Sequence, residues 1–453
     1  MAEKPPEEGF ICVVDEEPEF FQLLKWDTPQ THKQTHHHHQ PQQPTEVMVA
    51  EVQQTTCSDK SKRLDYDPFD SPDTEFLEKY RLPKLVVKEL VQELQPVMPD
   101  SVKFIEFSVE SKLLAALTFF ATGKYQKTPS KSDPNTSLYF ASTAVAQITE
   151  ALNHPSILKK YLHFPHLRQE RDVIKSMFYM KYGIPSVLGC IDCTHVPIAR
   201  PENDTKSHFN KSYHSKKVQI ISDASCRILS ADASSGGAAS HDAVLQRHAL
   251  RVDLVSLNRS GEPCWLLGSS QYSQQPYLMV PYPKISKKSV MSPEKHYTMM
   301  HSTAHSCVTE TIKQLKSRWK CLQATRGDLE PTAVEILVKA CAVLHNLCLD
   351  RGIQAPAMTP AEERLEAVKQ KVANTSRKPG VVPDEEVRAN LTRVLWQQRS
   401  APEVTVKKRS RKERLLESQS STSIDNSKRP RPVMPPPNYA PPFAPTWSHY
   451  PQH

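Results

Sequence analysis

The stretch GCIDCTHVPI, residues 189–198, decides the fold that we predict for this chain. It extends the apolar run SVLGCI at 186–191, which leads into Asp192, and it lies in a region, 185–232, where apolar residues recur with a period of two. A period of two is typical of a β-strand with one buried face. The stretch therefore predicts a strand that leads into a carboxylate.

Further strands follow along the chain. Residues 218–223 and 228–231 are predicted to be adjacent strands joined by a hairpin over 224–227, and the short run WLLG at 265–268 to be another strand. These segments together predict a β-sheet around the strand that carries Asp192.

Helical patterns lie on both sides of the strands. Before them, the spacing of apolar residues predicts helices over 84–94, 108–122 and 137–152, the second of which starts at Ser108 and stops at Gly123. After them, one helix carries Val308, Ile312, Leu315 and Trp319 on a single stripe, and another covers 332–350.

This order indicates an α/β domain at 183–352, preceded by a helical region at 65–182. The order of the short helices in the first region is helix-turn-helix-like. It is also the order of a plain helical subdomain, and no basic face for reading bases is visible.

The composition predicts that both ends of the chain are disordered. Hydrophobic residues make up 38% of the 453 residues, and 38 prolines stand against 11 glycines. Residues 1–64 are rich in Gln and His, and residues 353–453 are charged and then Pro-rich, so neither end buries enough apolar surface to offset its ordering entropy. No run of about 20 apolar residues predicts a membrane span, and no small-molecule substrate is evident.

The charge is distributed unevenly. The net charge is +8, with 6 Lys and Arg against 11 Asp and Glu in residues 1–64, and 9 against 4 in residues 401–453. A basic core with a basic tail favours a polyanionic partner such as DNA or chromatin, although an excess of this size is common in ordinary soluble proteins.

Two basic blocks in the C-terminal segment predict nuclear import. The alternative is that they are tethers for nucleic acid. The residues in question are Lys407, Lys408, Arg409, Arg411 and Lys412 in the first block and Lys428, Arg429 and Arg431 in the second.

The stretch at 189–198 resembles the G-x-I-D-G-T-H-x-x-I strand of Harbinger-type DDE transposases, with Cys193 where a glycine is usual. Further blocks follow in the order of that family, at 213–219 with Asp223, 240–245, 265–268, 315–318 and 340–346. The resemblance implies an RNase H-like catalytic domain behind a helical region.

In that family, three carboxylates hold two divalent cations, Mg²⁺ or Mn²⁺, at a DNA phosphodiester. The resemblance places the first carboxylate at Asp192. It places the second at Ser269, in the run GSSQY where the family has GDSGY, and the third at Thr309. Two of the three carboxylates are therefore replaced.

Neighbouring carboxylates leave a weaker metal site open. Glu310 is one residue beyond the third position, and a rotation of about 100° on a helix points it to a different face. Asp242 lies in the block SHDAVL, and Asp223 on an adjacent strand could approach Asp192. A weak single-metal site, formed by Asp192 with Asp242 or with Asp223, is the alternative to an empty one.

These residues predict a domesticated, transposase-derived nuclear protein with a degenerate catalytic site, which binds DNA, chromatin or protein. In related domesticated members the catalytic domain pairs with a separate DNA-binding protein, so the resemblance implies such a partner here. The alternative is an active, divalent-metal-dependent nuclease that hydrolyses DNA phosphodiesters with Asp192, Asp242 and Glu310.

Overall fold

The structure is a computed structural model, and it describes residues 67–99, 107–125, 134–203, 205–283, 285, 290–323, 329–373 and 385–399. The predictions of disorder for 1–64 and of nuclear import for the two basic blocks fall outside these residues.

A mixed five-stranded sheet forms the centre of the described chain. Its order is β3-β2-β1-β4-β5, with β1 antiparallel to β2, β2 antiparallel to β3, β1 parallel to β4 and β4 parallel to β5. The hairpin between β2 and β3 falls where the sequence predicts it. The strands are β1 (Val187–Pro197), β2 (Ser215–Ser222), β3 (Ile228–Gly236), β4 (Trp265–Gly268) and β5 (Leu278–Met279).

Strand β1 is longer than predicted. It was expected to end at Asp192, but β2 pairs with it as far as Pro197, opposite Ser215, and this antiparallel partner satisfies its backbone groups. On the other side, the pairing with β4 ends at Ile191 and Gly268. Asp192 therefore lies in the middle of β1 and just beyond the end of β4.

Six helices precede the sheet in the described residues, and the predicted helix at 108–122 has the predicted caps. Ser108 Oγ accepts a hydrogen bond from the Ser111 N–H at 3.1 Å, and Gly123 ends the helix with a φ of 70°. Whether this region acts as a helix-turn-helix stays a prediction. The helices are α1 (Asp73–Tyr80), α2 (Lys84–Leu94), α3 (Val109–Thr122), α4 (Pro134–Leu152), α5 (Pro155–Tyr161) and α6 (Arg168–Tyr182).

The remaining helices follow β1, and two long ones pack on the sheet. They are α7 (Thr205–His208), α8 (His241–Arg247), α9 (Leu250–Arg259), α10 (Pro293–Arg318), α11 (Pro331–Asp350), α12 (Pro360–Ala373) and α13 (Glu385–Gln398). Residues of the early helices, the sheet, α10 and α11 form one continuous hydrophobic core.

Helix α11 is the centre of that core. Its Asn346 accepts a hydrogen bond from the Ile228 N–H at 2.9 Å and donates to the carbonyls of Ile228 and Tyr161, both at 2.7 Å, which ties β3 to α5. Among the described helices, α11 alone is long and apolar enough to cross a membrane. Because 72% of the relevant window is buried inside the protein, a core helix explains its composition.

The prediction of disorder beyond 353 is wrong for α12 and α13. Leu391 and Leu395 of α13 are buried, and α13 contacts α10. Helix α12 has few apolar residues and is held instead by ion pairs to lysines of the α10 region, namely Lys313 to Glu363 at 2.6 Å, Lys316 to Glu366 at 2.5 Å and Lys320 to Glu362 at 2.9 Å. Partners remote in sequence decide the structure of both helices.

Candidate active site

Asp192 is mostly buried, and three donors surround one of its carboxylate oxygens. Oδ1 accepts hydrogen bonds from the Cys193 N–H at 2.9 Å and Ser269 Oγ at 3.2 Å, and His241 Nε2 lies 3.5 Å away. Burial acts to raise the pKa of Asp192, but the hydrogen bond from His241, the nearby His305 and the Cys193 N–H outweigh it and hold this pKa below its usual value. Asp192 is therefore an ionised carboxylate that protein groups already stabilise.

Ser269 reaches Asp192 because of the strand register. β4 is parallel to β1 and ends at Gly268, opposite Ile191, so the residues that follow each position lie side by side. The contact is the hydrogen bond that Ser269 Oγ donates to Asp192. The fold thus brings together the first two positions that the resemblance assigns to the site.

Ser269 and Thr309 line a common cleft of about 650 Å³. His305, one helical turn before Thr309 on α10, lines it as well, and the end of α6 contributes Lys181 and Tyr182. The third assigned position therefore also lies at this site, and it holds a hydroxyl group.

Glu310 lines the same cleft as Thr309, and the two side chains leave the helix about 100° apart. The cleft is wide enough that two consecutive residues of α10 reach it. Glu310 Oε1 accepts a hydrogen bond from Gln314 Nε2 at 3.1 Å, and its charge acts on Cys226 and Lys313.

The other two carboxylates named from the sequence have local structural partners. Both oxygens of Asp242 accept hydrogen bonds from Ser273, from its N–H at 2.7 Å and its hydroxyl at 2.8 Å. Asp223 closes the β2–β3 hairpin by accepting from the N–H groups of Ser225 at 2.7 Å and Arg227 at 2.9 Å. Burial raises the pKa of Asp223 above its usual value.

Sequence reasoning missed two histidines at the site. His241, at the start of α8, approaches Asp192 directly, and His305 Nε2 donates a hydrogen bond to the Ile191 carbonyl at 3.1 Å. The available signals were the His-Asp pair in the block at 240–245 and the spacing of four residues between His305 and Thr309, which places both on one face of a helix.

Cys193, where the family has a glycine, takes part in the packing around these groups. Its buried thiol lies 3.3 Å from the Tyr272 hydroxyl, and the Tyr272 ring meets the His241 ring edge to face at a centroid distance of 5.1 Å. Burial raises the pKa of Cys193 to about 12, so the group is a neutral thiol. Tyr272 thus packs between the Cys193 thiol and the histidine that contacts Asp192.

Comparisons with known proteins show the family to which this chain belongs. The family described as DDE superfamily endonuclease matches residues 191–346. The protein "Putative nuclease HARBI1" of Bos taurus is 32% identical over 269 residues, covering 57% of this chain and 74% of its own length. The chain belongs to the Harbinger-type family of DDE endonucleases.

Two further relatives support that membership. The HARBI1 protein of Mus musculus is 33% identical over 251 residues, covering 54% of this chain and 69% of the relative. "Protein ALP1-like" of Arabidopsis thaliana is 25% identical over 224 residues, covering 46% of this chain and 54% of the relative. No solved structure matches the chain.

The residues at the Harbinger-type positions do not fit the two divalent cations that the family's chemistry implies. Hard cations require several oxygen ligands, and carboxylates hold two dications because they supply negative charge. Here one carboxylate remains, and Ser269 uses its hydroxyl proton to hydrogen bond to it. In the described part of the chain, no three His, Cys, Asp or Glu side chains are grouped so as to hold a metal ion.

Proposed function

We propose that this chain is a domesticated, transposase-derived protein that keeps an RNase H-like scaffold, has lost two-metal DNA cutting, and acts by binding DNA, chromatin or protein in the nucleus. The observation that carries this proposal is the hydrogen bond from Ser269 to Asp192 at 3.2 Å. At the second family position, a hydroxyl group directed at the carboxylate replaces a second carboxylate.

The electrostatics of Asp192 support the loss of chemistry. Two carboxylates as close as Ser269 and Asp192 would repel each other, and divalent cations between them would remove the repulsion. In this chain the neighbours of Asp192 are a hydroxyl, a backbone N–H and two histidines. The carboxylate is thus stabilised by the protein itself, without a need for a cation.

Binding to DNA or chromatin rests on family membership and charge. Residues 65–400 carry a net charge of +8, since the opposite charges of the two ends cancel. A separate DNA-binding protein is proposed as the partner that supplies sequence specificity, because no base-reading basic face is visible in the sequence of the helical region.

An active nuclease is the second candidate, and one observation favours it. Glu310 lines the cleft together with Ser269 and Thr309, so a carboxylate is present near the third family position. Asp242 would be a further metal ligand of this nuclease. Both of its oxygens already accept hydrogen bonds from Ser273, which counts against that role.

One experiment tests both halves of the proposal. Purified chain is titrated onto labelled duplex DNA at rising NaCl, and the same samples receive supercoiled plasmid with Mg²⁺ or Mn²⁺. We expect binding that weakens steeply with salt, because each Lys or Arg contact with a phosphate releases counterions, and we expect no nicking. A flat salt response or no binding at low salt would leave only the protein-binding role. Cleavage that Asp192→Ala abolishes would establish the nuclease.

Nuclear import by the basic block at 407–412 is a further part of the proposal. Replacing Lys407, Lys408, Arg409, Arg411 and Lys412 with Ala should move a fluorescently tagged protein from the nucleus to the cytoplasm, because import signals are read through clustered positive charge. The matched control replaces five lysines and arginines between 65 and 398. Nuclear accumulation that is equal for both variants would contradict the role of this block.

A further inference from the structure

The segment between β1 and β2 forms a second groove, separate from the cleft at Ser269. It has a volume of about 300 Å³ and shares no lining residue with that cleft. The groove is lined by Arg200, Thr205, Lys206, Phe209 and His214.

The aromatic side chain of this groove is unusually exposed. Phe209 has 45% of its surface accessible, although a phenyl ring is normally among the most buried groups of a folded protein. Phe209 and His214 face each other across an isolated antiparallel bridge, with ring centroids 5.3 Å apart and planes inclined by 50°. One surface of the Phe209 ring is therefore open to a ligand.

Hydrogen bonds and close packing fix the backbone next to Phe209. Buried Asn210 accepts hydrogen bonds from the N–H groups of Ser212 at 3.2 Å and Tyr213 at 3.1 Å, and donates to Ser215 Oγ at 3.1 Å. The end of β3 packs so closely on the segment that a Cβ at Gly237 would lie 2.1 Å from Ser215 Oγ. The ring is thus presented by a rigid scaffold, which lowers the entropic cost of binding.

The charges of the groove are available to a ligand. Arg200 and Lys206 are exposed, and neither has an ion pair with any residue that the structure describes. His214 adds a third nitrogen-bearing side chain, while exposed Glu202 of the same segment is not among the lining residues. The lining is therefore cationic and aromatic.

We propose that this groove binds single-stranded DNA, with Phe209 stacking on a base and with Arg200 and Lys206 contacting the adjacent phosphates. Cationic grooves with an exposed aromatic ring bind single strands because every base has a stacking face and every nucleotide carries a phosphate. A duplex keeps its bases stacked inside, so it can use the two cations but not the ring. The inference rests on the proposed function and deepens it.

The test measures binding of the full chain to fluorescein-labelled dT20 and to a 20-base-pair duplex by anisotropy between 50 and 300 mM NaCl. Phe209→Ala should weaken dT20 binding about tenfold, because one base loses its stacking contact. Binding to the duplex should be unchanged. Phe209→Trp should restore it, because the indole ring also stacks.

The cations are tested through the salt dependence. Arg200→Ala with Lys206→Ala should make the slope of log affinity against log salt for dT20 shallower by about 1.4, for two lost phosphate contacts on a single strand. The matched control is Lys159→Ala with Arg259→Ala, which removes the same charge from exposed positions elsewhere. That control should change the slope less. Unchanged thermal unfolding shows that each variant is folded.

Several results would overturn the inference. In one, Phe209→Ala weakens the binding of dT20 and of duplex equally, or weakens neither. In another, the two charge variants change the salt slope equally, or poly-glutamate displaces bound dT20 better than unlabelled dT20 does. If wild type binds duplex in a salt-dependent way while Phe209→Ala has no effect on dT20, the groove fails and the proposed function stands. If wild type binds neither DNA, the inference and the DNA-binding role fail together, and only the protein-binding role remains.

Discussion

Ser269→Asp together with Thr309→Glu should give this chain a measurable affinity for Mn²⁺. The two substitutions restore carboxylates at positions that line the same cleft, one of them in contact with Asp192. Affinity for hard dications rises with the number of charged oxygen ligands, so we expect a gain of at least about tenfold over wild type. Without a cation the three carboxylates of the double variant repel one another, which destabilises its folded state.

The measurement combines Mn²⁺ titration calorimetry with thermal unfolding. In EDTA the double variant should unfold at a lower temperature than wild type, and Mn²⁺ should raise its unfolding temperature, because a ligand that binds only the folded state stabilises it. The matched control is Ser270→Asp with Ser306→Glu, which adds the same charge to the same cleft at positions that the family does not use. That control should gain much less affinity.

Recovery of cutting is a harder outcome than recovery of binding. Cleavage also needs a positioned substrate, and a displacement of about 1 Å costs about a hundredfold in rate. If the variant and its control bind Mn²⁺ equally, the assignment of Ser269 and Thr309 to the family positions is wrong. Robust cleavage by wild type that Asp192→Ala abolishes would show that Asp242, Asp223 or Glu310 supplies the missing ligands.

Lowering the pH from 7.5 to 5.0 should destabilise the fold by several kcal/mol through three buried histidines. Burial lowers the pKa of His195 and of His301 to about 3 and that of His345 to about 4. Each ring makes a fixed contact, His195 Nδ1 with Ser215 Oγ at 2.9 Å, His301 Nε2 with the Met279 carbonyl at 3.0 Å and His345 Nε2 with the Cys226 carbonyl at 2.9 Å.

The direction of the effect follows from proton linkage. In the unfolded chain a histidine titrates near pH 6.5, whereas the folded state keeps these rings neutral down to pH 3 or 4. Below pH 6.5 the unfolded state therefore binds more protons, and stability falls as the pH falls. At pH 5.0 each ring costs about 2 kcal/mol, or about 6 kcal/mol together. Asp223 acts in the opposite direction, because its raised pKa favours protonation of the folded state.

Urea unfolding midpoints at pH 7.5 and 5.0 measure this effect. His301→Gln should reduce the difference between the two midpoints, because one of the three groups no longer titrates, whatever the substitution does to stability at pH 7.5. Exposed His163 provides the control, since His163→Gln should leave the difference unchanged. Equal midpoints at both pH values for wild type would contradict the prediction.

Local patterns in the sequence were sufficient for four of the five described strands and for most ends of the predicted helices. The period of two at 186–191 and the turn at 224–227 depend on neighbouring residues alone, as do the caps at Ser108 and Gly123, and the structure confirms them. Ser269 was placed beside Asp192 by resemblance, and the parallel register of β1 and β4 confirms that they meet.

Only the tertiary structure decided the length of β1, the folding of α12 and α13 and the partners of Asp192. A strand continues wherever a neighbour pairs with it, and a charged helix such as α12 is held by lysines that lie about 45 residues away in sequence. His241 and His305 approach Asp192 from two different helices. The sequence by itself thus determined the family and most strands of the sheet, because these depend on residue identity and short-range spacing, and it predicts that two carboxylates are replaced. The groups that stabilise the Asp192 carboxylate depend on distances between segments, which only the packed chain determines.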